Sequence, residues 1–151
     1  LACTSGAMGY GLPAAVGAAL LCPERTAINI SGDGDFLMNG QELATAVQYG
    51  AKTIIVLLNN GMYGTIRMHQ ERAYPQRTAG AGTTLHNPDF AALAQAFGYV
   101  GVRIQRSDQF EAELVAALAR EQGTLIEVML EPELISTRAS LGTITQTALQ
   151  R

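Results

Sequence analysis

A chain of 151 residues fits one domain, and 48% hydrophobic against 15% charged residues favours a packed globule over disorder. A net charge of −3 with no basic run gives nucleic-acid binding no electrostatic footing. The longest apolar run, Thr53–Leu58 and its neighbours, is far too short to span a bilayer.

No signal-peptide pattern is visible, and the chain opens at Leu1 in a glycine-rich segment, which reads as part of a longer protein. Cys3 and Cys22 are too few and too poorly spaced for a zinc site or a disulfide framework. A reducing, cytoplasmic setting is therefore expected.

In chain order, 12–21 reads as a small-residue helix with Pro13 in its first turn and Pro23 past its end. Residues 26–31 form a strand, which would bury the glycosylation sequon Asn29-Ile30-Ser31. Asn39 and Glu42 resemble a capping pair ahead of a helix over 41–49, stopped by Gly50. Residues 53–58 are apolar and β-branched on both faces, as in a central parallel strand. The stretch 67–84 shows no periodicity and reads as a long loop. Asn87-Pro88-Asp89 starts a helix running through Phe97, 100–104 is a strand, 110–121 a helix and 124–130 a final strand. The tail from Glu131 is weakly patterned and is expected to pack against a further domain. Strands alternating with helices predict an α/β fold, a three-layer α/β/α domain over 1–130 with a mostly parallel sheet.

Two short motifs follow two of these strands: Gly32-Asp33-Gly34 and Asn59-Asn60. A right-handed crossover makes such strands parallel, so both motifs emerge at one carboxyl edge. If the strands are neighbours, the motifs lie roughly 5 Å apart. The Asp33 carboxylate, the Asn60 amide oxygen and the Met62 carbonyl suit Mg2+, which takes six oxygens, with phosphate oxygens and water completing the shell. Gly32 and Gly34 are expected to form a sharp turn. Backbone N–H groups of Gly34 and Asp35, then of Tyr63, Gly64 and Thr65, would meet a diphosphate.

The joint pattern resembles the thiamine-diphosphate signature of acetolactate-synthase-like enzymes: Gly32-Asp33-Gly34, 24 residues, then Asn59-Asn60. Residues Ser5–Ala15, Gln41–Ala46 and Asn87–Phe90 resemble the same family. The resemblance implies a diphosphate- and Mg2+-binding domain of a 2-oxo acid decarboxylase or carboligase. It assigns Asp33, Asn60 and the Met62 carbonyl to the metal, and Gly34, Asp35, Tyr63, Gly64 and Thr65 to the diphosphate. Met8 becomes the apolar wedge between the cofactor rings, and the Gly6 carbonyl the acceptor for the pyrimidine amino group. It further implies a partner pyrimidine-binding domain, on the same or another subunit of a homodimer or homotetramer, carrying an activating glutamate that this chain lacks. No catalytic residue is assigned here, and the isolated chain is expected to be inactive. Asp35 departs from the small residue usual in the family, and its carboxylate would repel a diphosphate unless only its N–H is used.

His69, His86, Arg67 and Arg72 read as loop or surface residues, lacking partners at metal-ligand spacing. A nicotinamide-dinucleotide-binding dehydrogenase domain is the alternative from another class, but Gly6, Gly9 and Gly11 are spaced G-x-x-G-x-G with no strand ahead. A non-catalytic assembly domain would be favoured by loss of Asp33 or Asn60, and both are present.

Overall fold

The computed structural model describes residues 4–77 and 82–150. Its backbone contacts group into two units, Leu1–Asn59 with Asn87–Met129, and Asn60–His86 with Leu130–Arg151.

The first unit is built on four strands, β1 (Ala27–Gly32), β2 (Thr53–Asn59), β3 (Val100–Ile104) and β4 (Thr124–Met129). They lie in the order β1-β2-β4-β3, and every neighbouring pair is parallel. β2 is buried on both faces, which its unbroken apolar sequence requires. Ile55 and Leu57 point to one layer, with α1 (Gly11–Leu21), α2 (Asp33–Asn39), α3 (Glu42–Gln48) and α5 (Phe90–Ala96). Ile54 points to the other, where α6 (Phe110–Ala119) packs Ala117 against Ile104 and Ile126. The architecture is the expected α/β sandwich of three layers.

β1 is an edge strand with an unusual division of faces. Asn29 and Ser31 point inward and bond to each other at 2.7 Å, while Ile28 and Ile30 are 48% and 69% exposed. The register pairs Ile28 with Ile54 and Ile30 with Val56, so the isoleucines share the α6 face. Alongside, an open groove of about 890 Å³ runs between α1 and β1. Asn29, only 4% exposed, makes a poor glycosylation acceptor.

The sharp turn expected at Gly32 and Gly34 is a direct passage from strand to helix: Gly32, with φ −73 and ψ 161, ends β1, and Gly34 sits inside α2. Three local expectations are corrected. Asn39 closes α2 instead of capping α3; its side chain donates to the Gly9 carbonyl, and no side chain caps α3. Residues 67–73, read as loop, continue the helix α4 (Gly64–Ala73). Finally, the tail is ordered as β5 (Leu134–Ser136), β6 (Ala139–Ser140) and α7 (Leu141–Leu149), and within the second unit α7 packs on α4. Cys3 and residues 78–81 of the long polar stretch lie outside the described residues.

Candidate functional site

Parallel pairing through Gly32 and Leu58 brings the ends of β1 and β2 side by side. Asp33 opens α2 there and is only 2% exposed. A carboxylate at a helix N-terminus meets the positive end of the backbone dipoles, which offsets part of its burial. Its Oδ1 accepts the Gly34 N–H at 3.0 Å, and its Oδ2 accepts the Asn87 side-chain amide at 2.7 Å. Phe36, one turn on, meets Phe90 edge-on at 5.8 Å and ties α2 to α5.

The second element of the motif, Asn59, is drawn into a buried polar chain. Its Oδ1 accepts from Asn87 Nδ2 at 2.9 Å, and its own Nδ2 donates to Glu127 Oε1 at 2.7 Å. Glu127 is fully buried in β4 and takes the Arg103 Nε–H at 2.7 Å on its other oxygen. Arg103 also reaches Asp89 at 3.3 Å. The Glu127 hydrogen bond lifts the Arg103 guanidinium above its ordinary value; burial opposes this and the two carboxylates add to it. Asn59 enters the sequence reading only as part of the Asn59-Asn60 motif, and Arg103 and Glu127 do not enter it at all. The one available signal was a glutamate inside the apolar run Thr124–Met129.

The Met8 segment is fastened to α2 from two sides. The Gly9 N–H donates to Asp35 Oδ1 at 2.7 Å, and the Gly9 carbonyl accepts from Asn39 Nδ2 at 2.9 Å. Gly9 has φ +81, and a Cβ there would lie 2.7 Å from the Met38 Cβ, so only glycine fits. The carboxylate of Asp35 is thus engaged by Gly9. Met8 is 43% exposed and outside the core, while Gly6 is exposed with φ +66.

In the second unit, Asn60 begins a tight turn. Its Oδ1 accepts the Met62 N–H at 3.2 Å, Gly61 takes φ +70, and a Cβ on Gly64 would come within 2.8 Å of the Asn60 amide nitrogen. Met62 faces Thr84 in an antiparallel bridge whose bonds run from Tyr63 N–H to the Thr83 carbonyl and from Leu85 N–H to the Gly61 carbonyl. The Met62 carbonyl takes no part in that ladder. The Tyr63 N–H, expected to serve a diphosphate, is spent on Thr83. Gly64 and Thr65 stand in the first turn of α4, where backbone N–H groups have no intrahelical acceptor.

Further along α4, Arg67 pairs with Glu71 at 2.7 Å. Glu71 is 4% exposed and also accepts the Gln76 N–H and the Thr145 hydroxyl. Burial pushes its pKa up, but Gln76, Thr145 and Arg67 together outweigh that and leave it below the ordinary 4.5. A carboxyl lowered by folding contributes stability above its unfolded pKa and loses it as pH falls through the folded value. Amide protection in α7 is therefore expected to drop as pH falls below the ordinary carboxylate value of 4.5, and Glu71→Gln to remove that dependence. A pH-independent α7 in the unsubstituted protein would contradict this.

His69, His86 and Arg72 are exposed, and among the described residues no three His, Cys, Asp or Glu side chains converge. Nor, among those residues, does any strand precede the Gly9–Gly11 segment, which leads straight into α1. Among the described residues no helix is long and apolar enough to cross a membrane.

Residues 2–128 match the family model described as thiamine pyrophosphate enzyme, C-terminal TPP binding domain. The chain is 44% identical over 126 residues to the acetolactate synthase isozyme 2 large subunit of Escherichia coli, covering 83% of the chain and 23% of that protein. It is 41% identical over 123 residues to the acetolactate synthase large subunit of Parasynechococcus marenigrum, covering 82% of the chain and 20% of the relative. With the mitochondrial acetolactate synthase catalytic subunit of Saccharomyces cerevisiae, identity is 39% over 126 residues, 83% of the chain and 18% of the relative. The chain thus spans about a fifth of the length of these relatives.

Proposed function

Because the chain belongs to the family of C-terminal TPP-binding domains of thiamine pyrophosphate enzymes, we propose that it grips the diphosphate of thiamine diphosphate through Mg2+. The full-length protein is then a 2-oxo acid decarboxylase or carboligase of the acetolactate synthase kind. The observation that carries the reading is the register of β1 and β2. It sets Asp33 and Asn59 at adjoining strand ends, joined through Asn87, with Asn60 the next residue in the chain.

The donor set suits a hard cation. Asp33 supplies a carboxylate, Asn60 an amide oxygen and Met62 a carbonyl outside its ladder. A Cβ on Gly32 would meet nothing within 4 Å, so the approach beside Asp33 is open. One carboxylate among three oxygens is a weak cage on its own, which fits a cation that arrives with an anionic ligand. The N–H groups of Asp35, Gly64 and Thr65 are the donors for phosphate oxygens, the Gly34 N–H being held by Asp33 Oδ1, and the bond to Gly9 keeps the Asp35 carboxylate engaged elsewhere. Met8 takes the wedge role between the rings and the Gly6 carbonyl receives the pyrimidine amino group. When bound, Mg2+ neutralises diphosphate charge and the thiazolium ring serves as the electron sink for decarboxylation. The activating glutamate comes from a pyrimidine-binding domain of the same or a partner subunit, in a homodimer or homotetramer, so this chain alone is inactive. A cytoplasmic setting accompanies this reading.

The test is titration of the full-length protein with thiamine diphosphate, with and without Mg2+, and with NAD as control. Metal-dependent binding of thiamine diphosphate and none of NAD is expected. Asp33→Ala is expected to weaken it beyond the roughly tenfold to hundredfold that loss of an outer-sphere partner costs. Unchanged affinity in that variant would remove Asp33 from the metal.

A further inference from the structure

We propose that Asn87, Asn59, Glu127 and Arg103 form a one-way hydrogen-bond relay that positions the Asp33 carboxylate for its cation. The inference rests on the metal reading above and names residues beyond the ligands.

The direction of the relay is forced from its far end. Arg103 has only donors, so Glu127 must accept from it, and it does so at 2.7 Å through Oε2. The remaining oxygen, Oε1, is also an acceptor, so Asn59 must turn its NH2 group toward it, which leaves Asn59 Oδ1 facing Asn87. That oxygen needs a donor, so Asn87 must present its own NH2 group. The two protons on Asn87 Nδ2 then go one to Asn59 and one to Asp33 Oδ2. An amide is normally free to be turned by half a rotation, but here neither asparagine can be reversed without placing like atoms together. Glu127 is fully buried and the atoms of Asn59 lie in the same water-poor strand ends, so no solvent is at hand to correct a reversed amide.

Three consequences follow for the site. The Asp33 carboxylate has one oxygen held by Asn87 and the other by the Gly34 N–H, which fixes the plane it shows to a cation. Asn59, though adjacent to Asn60 in the chain, has its amide bonded on both sides within the relay, to Asn87 and to Glu127, and serves as a positioning residue. Asn87 also keeps its Oδ1 buried and, among the described residues, without a partner, an acceptor suited to a water on a hydrated cation. Asn87 and Glu127 are therefore positioning residues, not ligands.

The experiment measures Mg2+ affinity in the full-length protein at saturating thiamine diphosphate, alongside thermal unfolding. Asn87→Ala is expected to weaken Mg2+ by about tenfold to a hundredfold. Glu127→Gln keeps volume but gives Arg103 an oxygen and Asn59 an NH2 group, which reverses both asparagines and turns an oxygen onto Asp33; about a tenfold loss is expected. Adding Asn59→Asp to Glu127→Gln moves the carboxylate one link along and restores an acceptor for Asn87. That double variant is expected to return to within about threefold of the starting affinity. A residue important only for folding would shift unfolding temperature without this loss and rescue. The relay is overturned if Asn87→Ala and Glu127→Gln both stay within about twofold while Asp33→Ala is weakened, or if the double variant binds no better than Glu127→Gln. Should Asn87→Ala not fold, Glu127→Gln and its rescue decide alone. No Mg2+-dependent binding in the unsubstituted protein, or none lost in Asp33→Ala, would instead sink the metal reading itself.

Discussion

Gly101→Ala is expected to destabilise the protein by about 3 kcal/mol, at the top of the usual cost of one surplus methyl in a core. Gly101 lies in β3 where α5 crosses it, and an added Cβ would overlap the Ala91 carbonyl oxygen and sit 2.8 Å from its Cα. Those atoms are backbone, so relief requires the helix to move as a body. Moving α5 also moves Phe90, which is fully buried and holds α2 through its ring contact with Phe36. The expected readout is a lower denaturation midpoint with loss of hydrogen-exchange protection in β3 and α5 together. A change under about 1 kcal/mol would mean that the close approach of α5 to β3 is wrong.

The second large effect is Glu127→Ala, expected at about 4 kcal/mol, and the contributions can be separated. Arg103 is 38% exposed and retains Asp89, so solvent recovers most of what it loses. Asn59 is buried and would lose the bond its Nδ2 makes to Glu127, which costs roughly 1–3 kcal/mol. The emptied side-chain volume adds roughly 2 kcal/mol at a site walled by β2 and β3. Arg103→Ala should cost less than Glu127→Ala, because the charge it leaves behind retains the Asn59 bond. Equal costs would show that the ion pair, not the asparagine, dominates. Denaturant titration of the two variants side by side separates these outcomes.

Much of this is legible in the sequence. The unbroken run Thr53–Leu58 identifies a central parallel strand, and the motif spacing places Asp33 and Asn60 after neighbouring strands. What stayed hidden has particular physical causes. α4 escapes hydrophobic periodicity because its buried contact is Glu71, bonded to Thr145 far along the chain. α2 was masked by two glycines read as a turn, although the chain needs neither at positive φ. The relay depends on register: Arg103 meets Glu127 only because β3 and β4 align those two residues, and no local pattern encodes that alignment. Asp35, which looked like a liability beside a diphosphate, found its partner 26 residues back at Gly9.

That partnership has a thermodynamic side. Gly9 is stapled at both its peptide groups, so the chain around it surrenders its freedom during folding and has little left to surrender when a guest arrives. Met8 is thereby presented to solvent on an already stiffened support. Its ordering cost falls on the stability of the protein and not on the affinity for whatever it touches.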